Sequence, residues 1–350
     1  MTVEKLRVGI VGSGGIAKAA HIPNYKKLED AVVLAAVSDV AIERAEEVKE
    51  EFGFEVAYSD YEEMFQKANL DIVSICTPNK FHAPIAVAAL KAGIHVLCEK
   101  PPAMTVEEAE QMKQAAEDAG KILAYGFHFR QQPQTQLLKK YILNGDLGRV
   151  YASNAIALRR RGIPGWGVFT NKELQGGGPL IDIGVHMLDT ALYLMGYPEP
   201  SVVMGATYAE IGTRQGPGLM GAWDWENFTV EDMARGMIRF KDGGSLVVES
   251  SFAANIEKNE TMNVKVMGSH GGADLFPLHI FQEKHGSLTD TKPAYLQEIN
   301  PYEEQIRLYV ESIQNGSLSD KLCSAEQGVI VQKIINGLYQ SDETGVPVQF

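Results

Sequence analysis

The first third of the chain alternates short apolar runs with amphipathic stretches. The apolar runs predict six strands, at Leu6–Gly12, Val32–Asp39, Val56–Ser59, Asp71–Thr77, Ile94–Cys98 and Ile122–Phe127. The amphipathic stretches predict helices near Ile16–Leu28, Ala41–Phe52, Tyr61–Lys67, Pro84–Ala92 and Val106–Ala119. Nearly continuous apolar strands separated by helices are typical of a parallel sheet covered on both faces. The pattern therefore predicts a doubly wound α/β domain over residues 1–126.

The pattern changes after about residue 130. A predicted helix at Gln134–Leu143 is followed by strand-like runs without helices between most of them, at Val150–Leu158, Ser201–Ala209, Asp232–Phe240, Ser245–Phe252 and Met262–Met267. Such a series predicts an antiparallel or mixed sheet in a second, α+β domain over residues 127–350. Two further helices are predicted at Tyr302–Gln314 and Ala325–Gln340, whereas residues 275–298 show no clear period.

Length and composition fit two globular domains and exclude some partners. The chain has 350 residues, 45% of them hydrophobic and 22% charged. A formal net charge of −13 disfavours nucleic acid, whose binders normally present a basic face. The first apolar run is too short to span a membrane, and no signal-peptide pattern is evident. Three widely spaced cysteines indicate a reducing compartment, so we expect a cytoplasmic protein without a membrane partner.

A glycine-rich turn follows the first predicted strand and opens the first predicted helix. Gly12-Ser13-Gly14-Gly15-Ile16-Ala17 satisfies the dinucleotide fingerprint G-x-G-x-x-G/A in the structural context that supports it. The first glycine allows a tight turn, the second lets the backbone approach a pyrophosphate, and the alanine allows close packing of helix on strand. The free N–H groups of the helix start then bind the anion. We therefore expect Gly12, Gly14, Gly15, Ile16 and Ala17 to contact a dinucleotide in a Rossmann domain.

The second predicted strand ends at Asp39. A carboxylate at this position accepts hydrogen bonds from the ribose hydroxyls and repels a 2′-phosphate, which favours NAD over NADP. Two alternatives stay open: Asp39 can simply cap the next helix, and the nearby Arg44 is able to bind a phosphate.

Polar residues also follow the fourth and fifth predicted strands. Thr77-Pro78-Asn79 and His82 come after the fourth, and Glu99-Lys100-Pro101 closes the fifth. The carboxyl ends of parallel strands form the ligand-binding edge of such sheets. A half-desolvated lysine beside a carboxylate can position a hydroxyl or relay a proton. We expect Thr77, Asn79, His82, Glu99 and Lys100 at the cofactor site, with a packing role for His82 still open.

A second cluster begins at Gly176-Gly177-Gly178-Pro179 and continues as a predicted helix to Leu194. Asp182 and His186 are four residues apart and therefore share one face of that helix. A carboxylate beside an imidazole raises its basicity and orients it, which suits a general base. A solvated surface pair is the alternative, but the three glycines, which allow a close backbone approach, favour a functional role.

Taken together, these motifs resemble those of the Gfo/Idh/MocA family, named after glucose–fructose oxidoreductase, inositol dehydrogenase and rhizopine catabolism. The matching pieces are G-x-G-x-x-A, Thr77-Pro78-Asn79, Glu99-Lys100-Pro101 and G-G-G-x-x-x-D-x-G-x-H-x-x-D. The resemblance covers essentially the whole chain. It implies a Rossmann domain followed by an open, mixed, largely antiparallel sheet, whose face often supports homodimers or homotetramers.

The resemblance also implies site residues. In it, Lys100, Asp182 and His186 meet at the nicotinamide, and the Lys100–Pro101 bond is cis as in relatives. Trp166 matches a tryptophan that lies over the cofactor in relatives, within a stretch that is longer here. His128 and Arg130 match the segment after the sixth strand, where substrate contact and a structural role are both open.

These observations predict reversible hydride transfer between NAD and a secondary hydroxyl of a sugar, glycoside or cyclitol. His186, oriented by Asp182, would take the hydroxyl proton, while Lys100 stabilises the charge that develops on the oxygen. No tight metal-ligand spacing accompanies the eight histidines, so we expect no catalytic metal. Two alternatives remain: an NAD-dependent glycosidase that oxidises its sugar transiently, and a dinucleotide-binding sugar sensor without turnover.

Overall fold

A computed structural model describes residues 5–350, which form two compact units. The first unit contains the described residues up to Gln131 together with Ile299–Val329, and the second contains Gln132–Glu298 and Ile330–Phe350. Each unit is built on one sheet. The chain thus leaves the first unit, forms most of the second, returns to the first and ends in the second. The predicted domain bounds, 1–126 and 127–350, stay a prediction.

The sheet of the first unit has seven strands, of which six are parallel. Their order across the sheet is Cys323–Ser324, Leu123–Tyr125, His95–Cys98, Ile72–Ile75, Leu6–Val11, Val32–Ser38 and Val56–Tyr58. The strand order turns back after the first strand, which pairs with both the second and the fourth. Ligands bind at the carboxyl edge beside such a switch point. The predicted α/β class and its six strands are confirmed.

Helices connect these strands, and local sequence determines where they begin and end. They are Ala17–His21, Ile22–Lys26, Ile42–Phe52, Tyr61–Lys67, Asn79–Phe81, His82–Lys91, Val106–Ala119, His128–Gln131 and Pro301–Asn315, followed by the start of Ala325–Thr344. Thr105 and Glu108 form a reciprocal capping box at the start of Val106–Ala119, and Gly120 ends that helix in the left-handed conformation, with φ of 61°.

The hydrophobic core of the first unit joins strands from its start to a helix from near the end of the chain. Val8, Ile10 and Ile72 are fully buried on the parallel strands. Ile306 and Tyr309, on the helix Pro301–Asn315, belong to the same fully buried cluster. The return segment is therefore an integral part of this unit.

The second unit contains a nine-stranded mixed sheet. Its strands lie in the order Ser287–Thr291, His279–Lys284, Gly271–Asp274, Glu260–Gly268, Val150–Arg159, Ser245–Ser251, Met233–Phe240, Pro200–Tyr208 and Val348–Gln349. The strands Val150–Arg159 and Ser245–Ser251 run parallel, and all other described neighbours in this sheet are antiparallel. This confirms the predicted mixed, largely antiparallel sheet.

Helices cover one face of this sheet. The helices of this unit are Pro133–Leu143, Lys172–Gln175, Leu180–Gly184, Val185–Met195 and the remainder of Ala325–Thr344. Leu180–Gly184 and Val185–Met195 contact the sheet directly. Val185–Met195 packs on the strands Val150–Arg159 and Glu260–Gly268, and its residues are buried almost throughout. The opposite face carries exposed apolar side chains, such as Met204 and Met237, which lie directly opposite each other on neighbouring strands.

Several elements of the fold were not predicted, among them the strands Gly271–Asp274 and Val348–Gln349. Residues 275–298, which show no clear period in the sequence, contain the hairpin His279–Lys284 and Ser287–Thr291. The two-residue strand Cys323–Ser324 adds to the edge of the parallel sheet. Within residues 5–350, no helix has the length and apolar character needed to cross a membrane.

Candidate functional site

The glycine loop leaves space above its backbone where the fingerprint requires it. Gly12 has φ of +91°, and a Cβ there would lie 2.7 Å from the Cys76 carbonyl oxygen, so only glycine fits. A Cβ on Gly14 or Gly15 would meet no atom within 4 Å. Gly14 and Gly15 therefore face open space, which would let a pyrophosphate approach their backbone closely.

The helix after this loop packs closely on the sheet. Ala17 is fully buried, and the partly buried Ile16 packs against the core. The first turn, Ala17–His21, is π-helical, and an α-helical turn, Ile22–Lys26, follows it. Such π turns are rare and occur often at functional sites. The turn also carries His21 into the interior, directly behind the loop.

Asp39 holds both the glycine loop and the residue that precedes the next helix. Its Oδ2 accepts hydrogen bonds from Ser13 N–H (3.0 Å) and Ser13 Oγ (2.7 Å). Its Oδ1 accepts one from Ala41 N–H (3.0 Å), at the start of Ile42–Phe52. The N-cap of that helix is Ala41, so Asp39 holds the residue before the helix and does not itself cap it. Its carboxylate also lies against the glycine loop.

His82 joins two loops at the carboxyl edge of the sheet. Its Nδ1 lies 2.8 Å from the Pro101 carbonyl oxygen and its Nε2 lies 3.0 Å from that of Thr77. Burial lowers its pKa, although both carbonyl oxygens act in the opposite direction. The side chain has no exposed surface. We therefore propose that His82 fixes the Thr77 loop to the Lys100 loop, in place of the cofactor contact expected from the sequence. Asn79 is also buried, at 8% exposure, in the turn between them.

A buried ion pair lies next to Lys100. Glu99 Oε1 is 2.8 Å from His21 Nε2, and both side chains are almost completely shielded from solvent. Burial lowers the pKa of His21, but Cys76 and the Glu99 carboxylate outweigh it and raise that pKa to about 10. Burial raises the pKa of Glu99, but His21 and Lys100 outweigh it, so the net direction is down. Both groups are therefore charged near neutral pH.

The same carboxylate shapes the backbone at Lys100. Glu99 Oε2 accepts a hydrogen bond from Lys100 N–H (3.2 Å), and the Lys100–Pro101 bond is cis, as the family resemblance implied. A Cβ on Gly126 would lie 2.8 Å from Glu99 Oε1, so a glycine is needed beside this carboxylate. Lys100 thus stands on a tightly held loop at the carboxyl end of the strand His95–Cys98, with its side chain half-buried.

His128 and Arg130 are both buried, in different surroundings. The His128 ring stacks on Tyr302 with 4.0 Å between ring centroids, and burial lowers its pKa to about 4, against the opposing effect of Glu99. The fully buried Arg130 donates hydrogen bonds to the Leu322 carbonyl oxygen (2.8 Å) and Gln327 Oε1 (2.9 Å). A guanidinium without exposed surface offers nothing to a substrate. We therefore propose a structural role for Arg130 instead of substrate contact.

In the second unit, Asp182 and His186 lie on one continuous helical segment. Asp182 is half-buried in the π-helical turn Leu180–Gly184, and His186 is in the first turn of Val185–Met195 with 8% exposure. The predicted helix is present, with a π turn at its start that the sequence did not reveal. A carboxylate and an imidazole four residues apart are thus fixed in a buried framework, where they can exchange a proton with a bound hydroxyl.

Trp166 and a run of three arginines lie at or after the end of the strand Val150–Arg159. Trp166 is 55% exposed and contacts Phe169 edge to face, with 6.4 Å between ring centroids. The basic run Arg159-Arg160-Arg161 is bound to its own surroundings, for example through Arg159 Nε to Glu260 Oε1 (2.9 Å) and Arg161 to Asn255 Oδ1 (2.7 Å). Across residues 5–350 we find no cluster of three or more His, Cys, Asp or Glu side chains arranged to hold a metal ion.

Sequence reasoning missed residues that act through others. His21 was read only as part of a helix, and its partner Glu99 is 78 positions away. Glu231, which accepts a hydrogen bond from Gly178 N–H before the Asp182 helix, is not among the residues that the sequence predicted for the site. An ionisable residue inside an otherwise apolar stretch was the one available signal for His21.

A Rossmann unit with an open glycine loop, and a second unit with a buried carboxylate–histidine helix, define a nicotinamide-dependent oxidoreductase. Family models agree: residues 6–127 match "Oxidoreductase family, NAD-binding Rossmann fold", and residues 139–350 match "Oxidoreductase family, C-terminal alpha/beta domain". The chain belongs to the Gfo/Idh/MocA oxidoreductase family, and NAD is its cofactor.

Individual relatives are sugar dehydrogenases. The chain is 43% identical over 349 residues to D-glucoside 3-dehydrogenase of Escherichia coli (strain K12), covering 100% of this chain and 99% of that protein. It is 32% identical to levoglucosan dehydrogenase of Pseudarthrobacter phenanthrenivorans, over 77% of this chain and 73% of that one. The solved structure of a levoglucosan dehydrogenase in complex with NADH matches with a TM-score of 0.84, 25% identity and 99% coverage of both chains.

Proposed function

We propose that this chain is an NAD-dependent dehydrogenase that oxidises a secondary hydroxyl of a sugar or glycoside. The observation that carries the proposal is Lys100, held by the His21–Glu99 ion pair on the same sheet edge as the open glycine loop. A lysine at that edge is suited to hold a substrate oxygen beside a nicotinamide. The D-glucoside 3-dehydrogenase relative, which matches the full length of the chain, supports a glycoside as the substrate class.

Each candidate residue has a separate task in the proposed reaction. Gly12 and Gly14 in the loop, and the Asp39 carboxylate at the ribose, would hold NAD. The bound NAD would supply an acceptor for the hydride of the carbinol carbon of the sugar. Lys100 donates a hydrogen bond to the substrate oxygen and stabilises the negative charge that develops there. His186 takes the hydroxyl proton, and Asp182 orients its imidazole.

The test is a substrate panel read as NADH absorbance. Methyl D-glucosides, glucose, levoglucosan, myo-inositol and scyllo-inositol are each supplied with NAD and, separately, with NADP. We expect reduction of NAD with a glucoside, and a fall in kcat of at least 100-fold in both Lys100→Met and His186→Ala. If both variants kept turnover near that of the unmodified protein, the assigned roles would be wrong.

The same panel distinguishes three alternative functions: cyclitol oxidation, transient oxidation during glycoside cleavage, and cofactor binding without turnover. Turnover of the inositols alone moves the substrate class to cyclitols. Release of free sugar from a glucoside without net NADH identifies the glycosidase-like reaction. Binding of NAD with no reduction across the panel identifies a sensor. Lys100, Asp182 and His186 are all retained in the sequence, which favours the dehydrogenase.

We also propose that the chain forms a homodimer or homotetramer through the helix-free face of its nine-stranded sheet. Met204 and Met237 are 55% and 47% exposed there and face each other across neighbouring strands. Phe281, near the other edge of the sheet, adds a partly exposed ring. Exposed apolar patches of this kind mark protein interfaces. Light scattering should show an oligomer, and Met237→Glu should shift it to monomers.

A cytoplasmic location completes the proposal. The three cysteines are free and buried, as expected for a protein from a reducing compartment. Fractionation of cells that express the tagged chain tests this location directly.

A further inference from the structure

The start of the helix that carries Asp182 and His186 is held by a buried carboxylate. Glu231 Oε2 accepts a hydrogen bond from Gly178 N–H (2.8 Å), and its Oε1 accepts one from Leu180 N–H (3.2 Å). N–H groups at a helix start have no partner within the helix, so they need an acceptor from elsewhere. Glu231 supplies it, and its negative charge lies at the end of the helix where the dipole favours an anion.

A third hydrogen bond fixes the carboxylate itself. Tyr339, on the helix Ala325–Thr344, donates its hydroxyl to Glu231 Oε1 (2.9 Å). Glu231 is only 8% exposed, so its charge depends on these donors in place of water. Both residues belong to the second unit, as does the helix that Glu231 holds.

The glycine run before the helix fits around this pair. A Cβ on Gly177 would lie 2.1 Å from the Tyr339 hydroxyl oxygen. A Cβ on Gly178 would lie 2.1 Å from the Glu231 backbone oxygen. Real Cβ atoms do not approach other atoms so closely, so side chains are excluded at both positions. Gly177 and Gly178 thus allow the backbone before the helix to lie directly against Tyr339 and Glu231.

The other side of the same turn is held by a serine. Ser250 Oγ donates a hydrogen bond to the Pro179 carbonyl oxygen (2.7 Å), and a Cβ on Gly184 would lie 2.9 Å from that Oγ. Within the turn, Asp182 N–H donates to the Gly178 carbonyl oxygen (3.1 Å). A displacement of Gly178 is therefore passed directly to Asp182.

We propose that Glu231 is a positioning residue, which holds the first turn of this helix where Asp182 and His186 act on the substrate. The inference rests on the proposed dehydrogenase function for the roles of those two residues. Glu231 touches neither substrate nor cofactor in this scheme. Its effect on the reaction passes through the backbone of Gly178 and Leu180.

A positioning role predicts a different result from a purely stabilising one. Burial raises the pKa of Glu231, although its hydrogen bonds to Gly178, Tyr339 and Leu180 oppose that change. A carboxyl group with a raised folded-state pKa is ionised at a cost, so its charge reduces stability as the pH rises through that pKa. Glu231→Gln removes that cost, but its amide NH₂ must face one of the N–H donors. The variant should therefore remain folded while its helix start shifts.

The first measurement compares Glu231→Gln with Tyr339→Phe, using NAD and methyl D-glucoside. We expect Glu231→Gln to lower kcat roughly 10- to 100-fold, since a displacement of about 1 Å at a catalytic group has effects of that size. KM and the melting temperature should stay close to those of the unmodified protein. Tyr339→Phe keeps both bonds from Glu231 to the helix, so its kcat should change less than about threefold. A kcat for Glu231→Gln within twofold of the unmodified protein overturns the inference.

The second measurement reads the helix start without turnover. Amide hydrogen exchange should accelerate in peptides that cover residues 178–186 of Glu231→Gln, and remain unchanged there in Tyr339→Phe. Unchanged exchange in Glu231→Gln overturns the inference even if kcat falls. If exchange is faster in Glu231→Gln but the unmodified protein oxidises no sugar of the panel, Glu231 still holds the helix start. In that case only the proposed function is refuted.

Discussion

Replacing Glu99 by Gln removes the carboxylate that neutralises the buried imidazolium of His21. The two groups are 2.8 Å apart, and their side chains are 8% and 1% exposed, so water cannot take the place of the lost charge. Removing one partner of a buried ion pair costs about 3–5 kcal/mol. Against the lowering effect of burial, Cys76 and Glu99 together raise the pKa of His21 from 6.5 to about 10, so the imidazole is protonated at neutral pH and needs an anionic partner.

The pH dependence gives the prediction its sign. The folded-state pKa of His21 is raised, so its contribution is complete below pH 6.5 and is lost as the pH rises through about 10. The folded-state pKa of Glu99 is lowered from 4.5, so its contribution is present above that value and is lost as the pH falls through the folded pKa. The ion pair therefore stabilises the protein most between about pH 4.5 and 6.5, and its contribution declines toward pH 10.

Urea unfolding followed by circular dichroism, at pH 6, 8 and 9.5, provides the assay. We expect Glu99→Gln to be less stable by about 3–5 kcal/mol at pH 6 and by less at pH 9.5. The double variant His21→Gln/Glu99→Gln leaves no buried charge unpaired, so it should be more stable than Glu99→Gln at pH 6. A loss below about 1 kcal/mol at pH 6, or an equal loss at all three pH values, would refute the reasoning.

Four variants of the first unit test the site further. Lys100→Met should lower kcat by roughly 100- to 1,000-fold, because the lysine acts on the substrate oxygen, while NAD affinity measured by calorimetry stays unchanged. Equal losses of kcat and of NAD affinity would mean that Lys100 binds the cofactor instead. Gly14→Ala should weaken NAD binding without lowering the melting temperature, since its Cβ meets no atom within 4 Å. Gly12→Ala should lower the melting temperature, because its Cβ would lie 2.7 Å from the Cys76 carbonyl oxygen and its φ is +91°; the reverse order would contradict the loop geometry. Asp39→Gly should raise the ratio of kcat/KM with NADP to kcat/KM with NAD by about tenfold or more. An unchanged ratio would mean that Asp39 has only a structural role, through the hydrogen bonds it accepts from Ser13 and Ala41.

The sequence was most informative where local signals agree with each other. Short apolar runs, most of them followed by an amphipathic stretch, were enough to predict the six parallel strands. The strand Cys323–Ser324 is too short to show any period, and it is recognised only from its pairing with Leu123–Tyr125. The hairpin His279–Lys284 and Ser287–Thr291 lies at the sheet edge with many exposed polar residues, so its alternation is blurred.

In the candidate site too, locally determined features were predictable and long-range contacts were not. Glycine spacing was sufficient to find the dinucleotide loop, because the constraint there is local. The partners that hold the site are distant in the chain: Glu231 is 53 positions from Gly178, and Glu99 is 78 from His21. The sequence around a carboxylate does not show which N–H groups will donate hydrogen bonds to it in the folded protein. Such residues are found only once the fold places them together.

The return of residues 299–329 to the first unit determines the order in which that unit can be completed during synthesis. When residue 131 leaves the ribosome, all six parallel strands exist, but Ile306, Tyr309 and Leu322 of their core have not been made. The edge of Leu123–Tyr125 also lacks its antiparallel neighbour, and an unpaired edge invites pairing with other chains. We therefore expect the nascent amino-terminal segment to depend on chaperones until the second unit has been translated, and a fragment that ends at residue 131 to aggregate when expressed alone.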